Sequence, residues 1–334
     1  HWAVTVLVLE AAGVVLRWQD ARRVTGWLNL LLLGGLIHAW GVWGHALVGI
    51  AGWAWLLALT VSWLLRWRQD ALAGIASTFM HPLLFGLTLA ILASEAVWRA
   101  QEMLALSRHG QYLFALPVFA LASLFCQRWP RWPVTSWPQL YAVTIALPIA
   151  CLTLLGSVWV SLTVAGNIAS TTYFPLFSVF DSVQLLALYS VYRWNRSKVV
   201  QWGHHLVWGC GFVWLSMLPA RVATAWFGAR FGVISLLNVP EAATGLALVW
   251  TALALLLMWQ AQRYASRARW FAGFSLLCAV GAKLLLIDLR SVGTIAWTIS
   301  LIGVALLVLA ASYVAPAPPK DDNRPETGPD TPNA

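Results

Sequence analysis

The hydrophobic positions of this chain form long unbroken runs, separated by short polar segments that are rich in arginine. A helix needs about 20 consecutive apolar residues to cross a bilayer, and eleven runs approach or reach that length. A run that is apolar on every side has little helical periodicity, so periodicity does not define where it ends. The runs cover residues 2–16, 24–43, 45–65, 77–98, 110–127, 138–164, 174–194, 199–218, 241–260, 270–288 and 293–314. The pattern predicts an all-α polytopic transmembrane helical bundle of about eleven spans, with residues 1–314 as one transmembrane domain.

Both ends of the chain depart from this pattern. The first run is short for a span and the chain opens at His1, so we expect an N-terminally truncated fragment whose first helix is cut at its outer end. Residues 315–334 are rich in proline and charge and contain no aromatic side chain. Such a segment cannot bury enough apolar surface to order itself, so a disordered cytoplasmic tail is expected.

The distribution of charge predicts the orientation of the spans. The net charge is +9, but the basic residues are spread between apolar runs, which argues against a nucleic-acid partner and favours a topology signal. The connections after the odd-numbered runs carry thirteen Lys and Arg residues and those after the even-numbered runs carry five. The odd connections hold Arg17, Arg22, Arg23, Arg66, Arg68, Arg128, Arg131, Arg193, Arg196, Lys198, Arg263, Arg267 and Arg269. The positive-inside rule therefore places those connections and the C-terminus in the cytoplasm.

Several classes of chemistry lack support in the sequence. The chain contains no GxxxxGK[ST] phosphate loop, no GxSxG motif and no HExxH motif, which argues against an ATPase, a common serine hydrolase and a zinc protease. The four cysteines fall in or beside four different apolar runs, so they do not form a metal-binding pair in the sequence. The adjacent residues His204 and His205 would point about 100° apart on a helix, which does not suit two ligands of one metal. We therefore expect no metal and no cofactor.

The acidic residues mark the place where a polar site is expected. Six of the twelve lie within apolar runs or on the predicted outer side, where a charge needs a partner or access to the headgroup zone. Lys283 lies one turn from the outer end of its run, where it could snorkel, pair with Asp288 or Glu95, or bind a phosphate or carboxylate headgroup. The candidate polar site consists of Glu10, Glu95, Asp181, Glu241, Asp288, Arg221, Lys283 and Arg290.

Three local patterns give sharper expectations. Glu10 lies at the centre of its run and should face the bundle, because a lipid-facing carboxylate costs about 2.5 to 3.5 kcal/mol. The Asp181 to Gln184 spacing predicts that the Asp181 carboxylate caps a helix start. Apolar positions near helical spacing predict an interfacial helix between Pro219 and Pro240, with Pro240 in the first turn of the next helix.

Ordered motifs in the C-terminal half carry a resemblance. Tyr173-Phe-Pro-Leu-Phe, Arg269-Trp-Phe-Ala-Gly, Lys283-Leu-Leu-Leu-Ile-Asp-Leu, Ser300-Leu-Ile-Gly-Val and Tyr313-Val-Ala-Pro follow one another. This half is similar to the bacterial multi-pass membrane proteins of domain-of-unknown-function family 2339, over about residues 173–319 and more loosely before. The family often has a His pair after the position of Arg221, where this chain has Ala-Thr. The resemblance implies a Gram-negative envelope location in the inner membrane and supplies no activity.

The sequence leaves three functions open. The first is a non-catalytic envelope scaffold or accessory protein, favoured because the polar connections are short and no constellation demands chemistry. The second is a transporter or flippase for an amphipathic or lipid-linked molecule, suggested by Glu10, Glu95 and Lys283 within the runs. The third is an outer-face transferase with Asp181, Glu241 or Asp288 as base, and Arg221, Arg230 or Arg290 on a phosphate. The expected partners are membrane lipids, a lipid-linked glycan or other envelope proteins.

Overall fold

Helices form every regular element in the part of the chain that the structure describes. The computed structural model describes residues 2–70, 75–104, 106, 109–167, 173–196, 200–286 and 309, without the side chains of residues 21, 23 and 75–77. The α-helices are α1 Trp2–Val15, α2 Gln19–Trp27, α3 Asn29–Trp43, α4 Gly49–Gln69, α5 Ile75–Leu104, α6 Ala115–Arg128, α7 Ala146–Thr163, α8 Val179–Asn195, α9 Gly203–Phe227, α10 Ser235–Asn238, α11 Pro240–Arg263 and α12 Arg267–Leu286. A 3₁₀ helix, Gly110–Phe114, precedes α6, and a π-helical stretch, Leu140–Ile145, precedes α7. The all-α prediction is confirmed.

Eight helices within the described residues are long and apolar enough to cross a membrane. They are Val24–Trp43, Gly49–Gln69, Thr78–Leu104, Gly110–Arg128, Leu140–Thr163, Gly203–Phe227, Pro240–Arg263 and Arg267–Leu286. Two further predicted spans correspond to α1, with 14 residues, and α8, with 17. The run at 293–314 and the tail at 315–334 lie outside the described residues. A multi-pass protein is therefore established, whereas eleven spans remain a prediction.

The exposed faces of these helices match a hydrocarbon environment. Trp53, Leu155 and Trp208 expose 75%, 68% and 70% of their surface. Soluble proteins rarely expose contiguous apolar surface on this scale. The outward face of the bundle is therefore suited to lipid.

The start of α11 matches the prediction, whereas the start of α8 is capped by a different residue from the one predicted. Proline occupies the first turn of α11 at Pro240, as predicted, because it has no N–H to leave unpaired. The cap of α8 is Ser178, whose Oγ accepts the Asp181 amide at 3.1 Å. The prediction that Asp181 caps the helix was therefore wrong by three residues. Ser178 has the same spacing to Asp181 that Asp181 has to Gln184, so the sequence fitted both registers.

The predicted interfacial helix after Pro219 is not present. Instead, α9 continues through Pro219 to Phe227, and a single turn, α10, precedes α11. Membrane helices tolerate an internal proline because neighbouring groups and local adjustments satisfy the freed carbonyl. The first part of the apolar spacing therefore belongs to the end of a spanning helix, and the remainder lies around α10.

The chain divides into two compact units. One comprises the described residues of His1–Met217 and Thr224–Gly232, and the other those of Leu218–Ala223 and Val233–Ala334. The main core of the first unit surrounds Tyr141 and Phe180, and a second cluster forms around Leu36. In the second unit, Met258 of α11 packs with Leu277 of α12. Each unit thus has buried apolar contacts of its own.

Candidate functional site

The first unit contains a groove between α3, α5 and the starts of α6 and α7. Its volume is about 640 Å³, and part of its wall is open. The lining residues that the structure describes are uncharged. They are Trp40, Gly44, Pro82, Phe85, Gly86, Leu89, Ala90, Ala93, Ser94, Val97, Trp98, Gln101, Gln111, Tyr112, Ala115, Phe119, Thr144, Ile145, Pro148, Ile149 and Leu152. A groove of this composition suits an apolar chain.

The groove forms because one face of α5 carries mostly small side chains. Pro82, Gly86, Ala90, Ser94 and Val97 recur at intervals of three or four residues, which places them on one side of a helix. A Cβ added at Gly86 would meet no atom within 4 Å. From position 82 to position 101, at about 1.5 Å per residue, the groove follows α5 for about 28 Å. That length is close to the roughly 30 Å thickness of the bilayer hydrocarbon.

One end of the groove is polar and aromatic. Gln101 lies one turn from the end of α5, and Gln111 and Tyr112 lie in the 3₁₀ helix that follows. The Gln111 Oε1 atom is buried and has no hydrogen-bond partner. Trp40 and Trp98 line the same end. A buried acceptor in an otherwise apolar groove costs free energy until a donor reaches it.

An ion-paired cluster supports this end of the groove. Glu95 Oε2 lies 2.9 Å from His45 Nδ1, and its Oε1 accepts from Arg99 Nε at 2.9 Å. The His45 ring stacks on Trp98 with centroids 4.4 Å apart. Gly44, which has a φ of +76°, ends α3 here, and a Cβ at this position would lie 2.8 Å from the Trp98 ring. Glu95 therefore positions an aromatic wall of the groove.

Asp181 lies at the centre of a second cluster, and no part of it is exposed. Its Oδ2 accepts from the Tyr173 hydroxyl, the Leu176 amide and the Ser178 hydroxyl at 2.9, 2.9 and 3.0 Å. Its Oδ1 accepts from the Trp214 indole at 2.9 Å. Four donors surround one carboxylate, which is the pattern of a structural anchor joining α8, α9 and the segment before α8.

Glu10 faces the bundle, as predicted, and is 5% exposed. It accepts from Arg22 Nε at 2.8 Å and from Gln69 Nε2 at 2.6 Å. The Gln69 amide also reaches Thr25 Oγ1 at 2.8 Å. A cavity of about 10 Å³ lies beside this network, lined in part by Asn29, whose buried Oδ1 has no partner. The cavity has room for about one water molecule.

A cluster that the sequence did not reveal surrounds Asp70, just beyond the end of α4. Its carboxylate accepts from the Trp137 and Trp132 indoles at 2.7 and 2.9 Å. His81 of α5 places Nε2 3.4 Å from Asp70 and Nδ1 3.1 Å from the Tyr141 hydroxyl. Burial alone would raise the pKa of Asp70, but the hydrogen bonds from Trp137, Trp132 and His81 outweigh it and hold the pKa below the ordinary value of 3.8.

In the second unit, Lys283 is 6% exposed and donates to the Ala243 carbonyl of α11 at 2.9 Å. Arg221 is fully buried, whereas Glu241 in the first turn of α11 is exposed. The predicted partners Asp288 and Arg290 lie outside the described residues. Lys283 thus bridges α11 and α12 through a backbone carbonyl.

The predicted site residues that the structure describes in the first unit do not come together in one site. Glu10, Glu95 and Asp181 have different partners and form three distinct clusters. The described residues also contain no group of three His, Cys, Asp or Glu side chains placed to hold a metal. The groove was missed because its signal, a stripe of small residues in α5, is also typical of ordinary helix packing.

The family comparison extends the resemblance found in the C-terminal half. Residues 1–318 match the family described as "Predicted membrane protein (DUF2339)". Comparison with curated proteins and with solved structures gave no match. Because the match covers nearly the whole chain, including the groove and the four carboxylate clusters, this protein belongs to the DUF2339 family of membrane proteins.

Proposed function

We propose that this protein is a non-catalytic accessory protein of the cell envelope that binds one amphipathic membrane molecule. The apolar chain of that molecule lies along α5 in the groove, and its head lies at the polar end near Gln111. The groove itself is the observation that carries the proposal, because it joins a length of about 28 Å to an apolar lining and a polar end.

In a bilayer, the hydrophobic effect contributes little to the binding specificity of such a groove. Lipid tails are as apolar as the groove, so transfer of a chain from bilayer to groove gains little from the hydrophobic effect. Specific binding must then come from the fit of the chain against α5 and from hydrogen bonds at the head. The small side chains of α5 provide the fit to the chain. Gln101, Gln111 and Tyr112 provide the hydrogen bonds to the head.

The carboxylate clusters support a non-catalytic role. Asp181 and Glu10 each accept hydrogen bonds from fixed neighbours, and Glu95 orients His45. None of these three residues lines the groove. A transferase needs a base beside its substrate, and an ion-coupled transporter needs a titratable group in the path. Neither alternative has support comparable to that for a binding protein.

The charge pattern and the family resemblance support the location that we propose. We place the protein in the inner membrane of a Gram-negative envelope, with the arginine-rich connections and the C-terminus in the cytoplasm. In this orientation α5 starts on the cytoplasmic side and Gln101, near its end, faces the outside. The head of the bound molecule therefore belongs to the outer leaflet.

Acyl-chain photocrosslinking tests the groove. The protein is reconstituted with phosphatidylcholine that carries a diazirine in its acyl chain, and the modified peptides are identified by mass spectrometry. We expect adducts on α5 near Leu89 and Ala93. Gly86→Phe should remove them, because the new ring fills open space in the groove.

The matched control is Gly34→Phe in α3, since Gly34 also has nothing within 4 Å and lies outside the groove lining. This variant should retain the adducts. Adducts spread evenly over exposed faces, or unchanged in Gly86→Phe, would show only bulk lipid around the bundle and would refute the proposal.

A further inference from the structure

We infer that the head of the bound molecule is neutral and rich in hydroxyl groups, as in a glycosyl diacylglycerol. This inference rests on the proposed function and specifies its ligand. Three observations at the polar end of the groove carry it: the absence of charge in the described lining, a buried acceptor, and aromatic side chains beside two amides.

The charges around the polar end argue against a phosphate head. The described groove lining contains no Lys or Arg. Arg99, which lies close by in sequence, is already paired with Glu95 at 2.9 Å and with Glu102 at 3.5 Å. Among the residues that the structure describes, a phosphodiester buried here would lack the cationic partners that proteins normally provide for it.

The unpartnered Gln111 Oε1 atom indicates what the ligand must supply. A buried carbonyl oxygen needs a hydrogen-bond donor. The head of phosphatidylcholine has acceptors and no donor, whereas each sugar hydroxyl can donate and accept. A turn of the Gln111 side chain toward the groove would pair this oxygen with a hydroxyl-bearing head, whose remaining hydroxyls can reach the Gln101 amide and the Tyr112 hydroxyl.

The aromatic residues suit the same head. Trp40, Trp98 and Tyr112 remain 40%, 36% and 46% exposed, so their rings are available at this end. His45 stacks on Trp98 and fixes its plane. Rings that are apolar on the face and polar at the edge match a sugar, which presents C–H groups on its faces and hydroxyls around its rim.

Binding of three lipids with identical acyl chains tests the inference. Glucosyl diacylglycerol, phosphatidylcholine and phosphatidic acid are titrated into the purified full chain in nanodiscs, and the bound lipid is counted by native mass spectrometry. We expect the glucosyl lipid to bind about threefold to tenfold more tightly than the other two, which corresponds to about one net hydrogen bond.

Substitutions at Gln111 separate acceptor chemistry from packing. Gln111→Leu removes the acceptor and should reduce glucosyl lipid affinity to that of phosphatidylcholine. Gln111→Glu keeps acceptor oxygens, so glucosyl lipid binding should persist while phosphatidic acid binding weakens further. Gln139→Leu is the control, because Gln139 is an exposed glutamine outside the groove. Thermal unfolding of each variant confirms that it is folded.

The outcomes separate a failure of the inferred head chemistry from a failure of the proposed groove. If all three lipids bind equally and Gly86→Phe abolishes each, the groove stands and the inferred head chemistry is wrong. A preference for phosphatidic acid that Arg99→Gln removes would also overturn the inference, in favour of an anionic head. If Gly86→Phe leaves binding of all three unchanged, the groove proposal itself falls.

Discussion

The Asp181 anchor provides the most direct test of how the first unit is held together. Asp181→Asn keeps the size of the side chain and replaces one carboxylate oxygen with an NH₂ group. The remaining oxygen can serve the three donors on the Oδ2 side. The new NH₂ group then faces the Trp214 indole N–H, which is also a donor. The substitution therefore breaks one contact and weakens the other three by removing the charge.

The expected loss of unfolding free energy follows from these hydrogen bonds. A hydrogen bond to a charged group contributes about 1.5 to 3 kcal/mol, and a buried donor left unpaired costs about 1 to 3 kcal/mol. Since the two terms overlap at Trp214, we expect Asp181→Asn to lower the free energy of unfolding by about 3 kcal/mol. Trp214→Phe alone should cost about 2 kcal/mol, by loss of the same bond. In the double variant the second substitution should cost much less, because the bond is already broken.

Unfolding in mixed detergent micelles, followed by circular dichroism, measures all three variants against the wild-type chain. Glu241→Gln is the control, because Glu241 is an exposed carboxylate at a helix start and should change stability by less than about 0.5 kcal/mol. The reasoning is refuted if Asp181→Asn costs no more than this control. It is also refuted if the effects of Asp181→Asn and Trp214→Phe simply add.

Three further predictions concern the other clusters and the second unit. Glu10→Gln should lower the free energy of unfolding by about 1 to 3 kcal/mol, since it weakens two bonds to a buried carboxylate, whereas Glu102→Gln, with 61% of its side chain exposed, should have little effect in the same assay. Because the folded-state pKa of Asp70 lies below 3.8, its stabilising effect is complete above pH 3.8 and is lost as the pH falls through the lower folded value. The stability difference between the wild-type chain and Asp70→Asn should therefore be constant above that pH and shrink below it; a difference that grows on acidification would contradict the assignment. Gly273→Ala should destabilise the chain by about 1 to 3 kcal/mol, since its Cβ would lie 2.8 Å from the Ala254 carbonyl oxygen, whereas Gly209→Ala, with nothing within 4 Å, should be neutral or slightly stabilising in a thermal melt.

The hydrophobicity pattern of the sequence correctly predicted the features that depend on one helix alone. The location of most spans and the inward orientation of Glu10 were both correct, because each follows from the cost of exposing polar groups to hydrocarbon. The first turn of α11 at Pro240 was correct for a similarly local reason. These features require no knowledge of neighbouring helices.

The features that sequence analysis missed depend on distant partners. Asp70 lies in an arginine-rich connection and looks solvated in the sequence, yet Trp132 and Trp137 reach it from more than 60 residues away. The groove requires small residues of α5 to face α7 across open space, which no periodicity specifies. Pro219 suggested a break that tertiary packing overrides in α9.

The indoles that hold Asp70 have a mechanical consequence for the groove. They join the end of α4 to the segment before α7 at the arginine-rich surface, and His81 joins α5 to the same carboxylate. Movement of α5 against the segment before α7 should therefore be smallest at that surface. The tip of a bound apolar chain should be held more firmly than the part near Gln111.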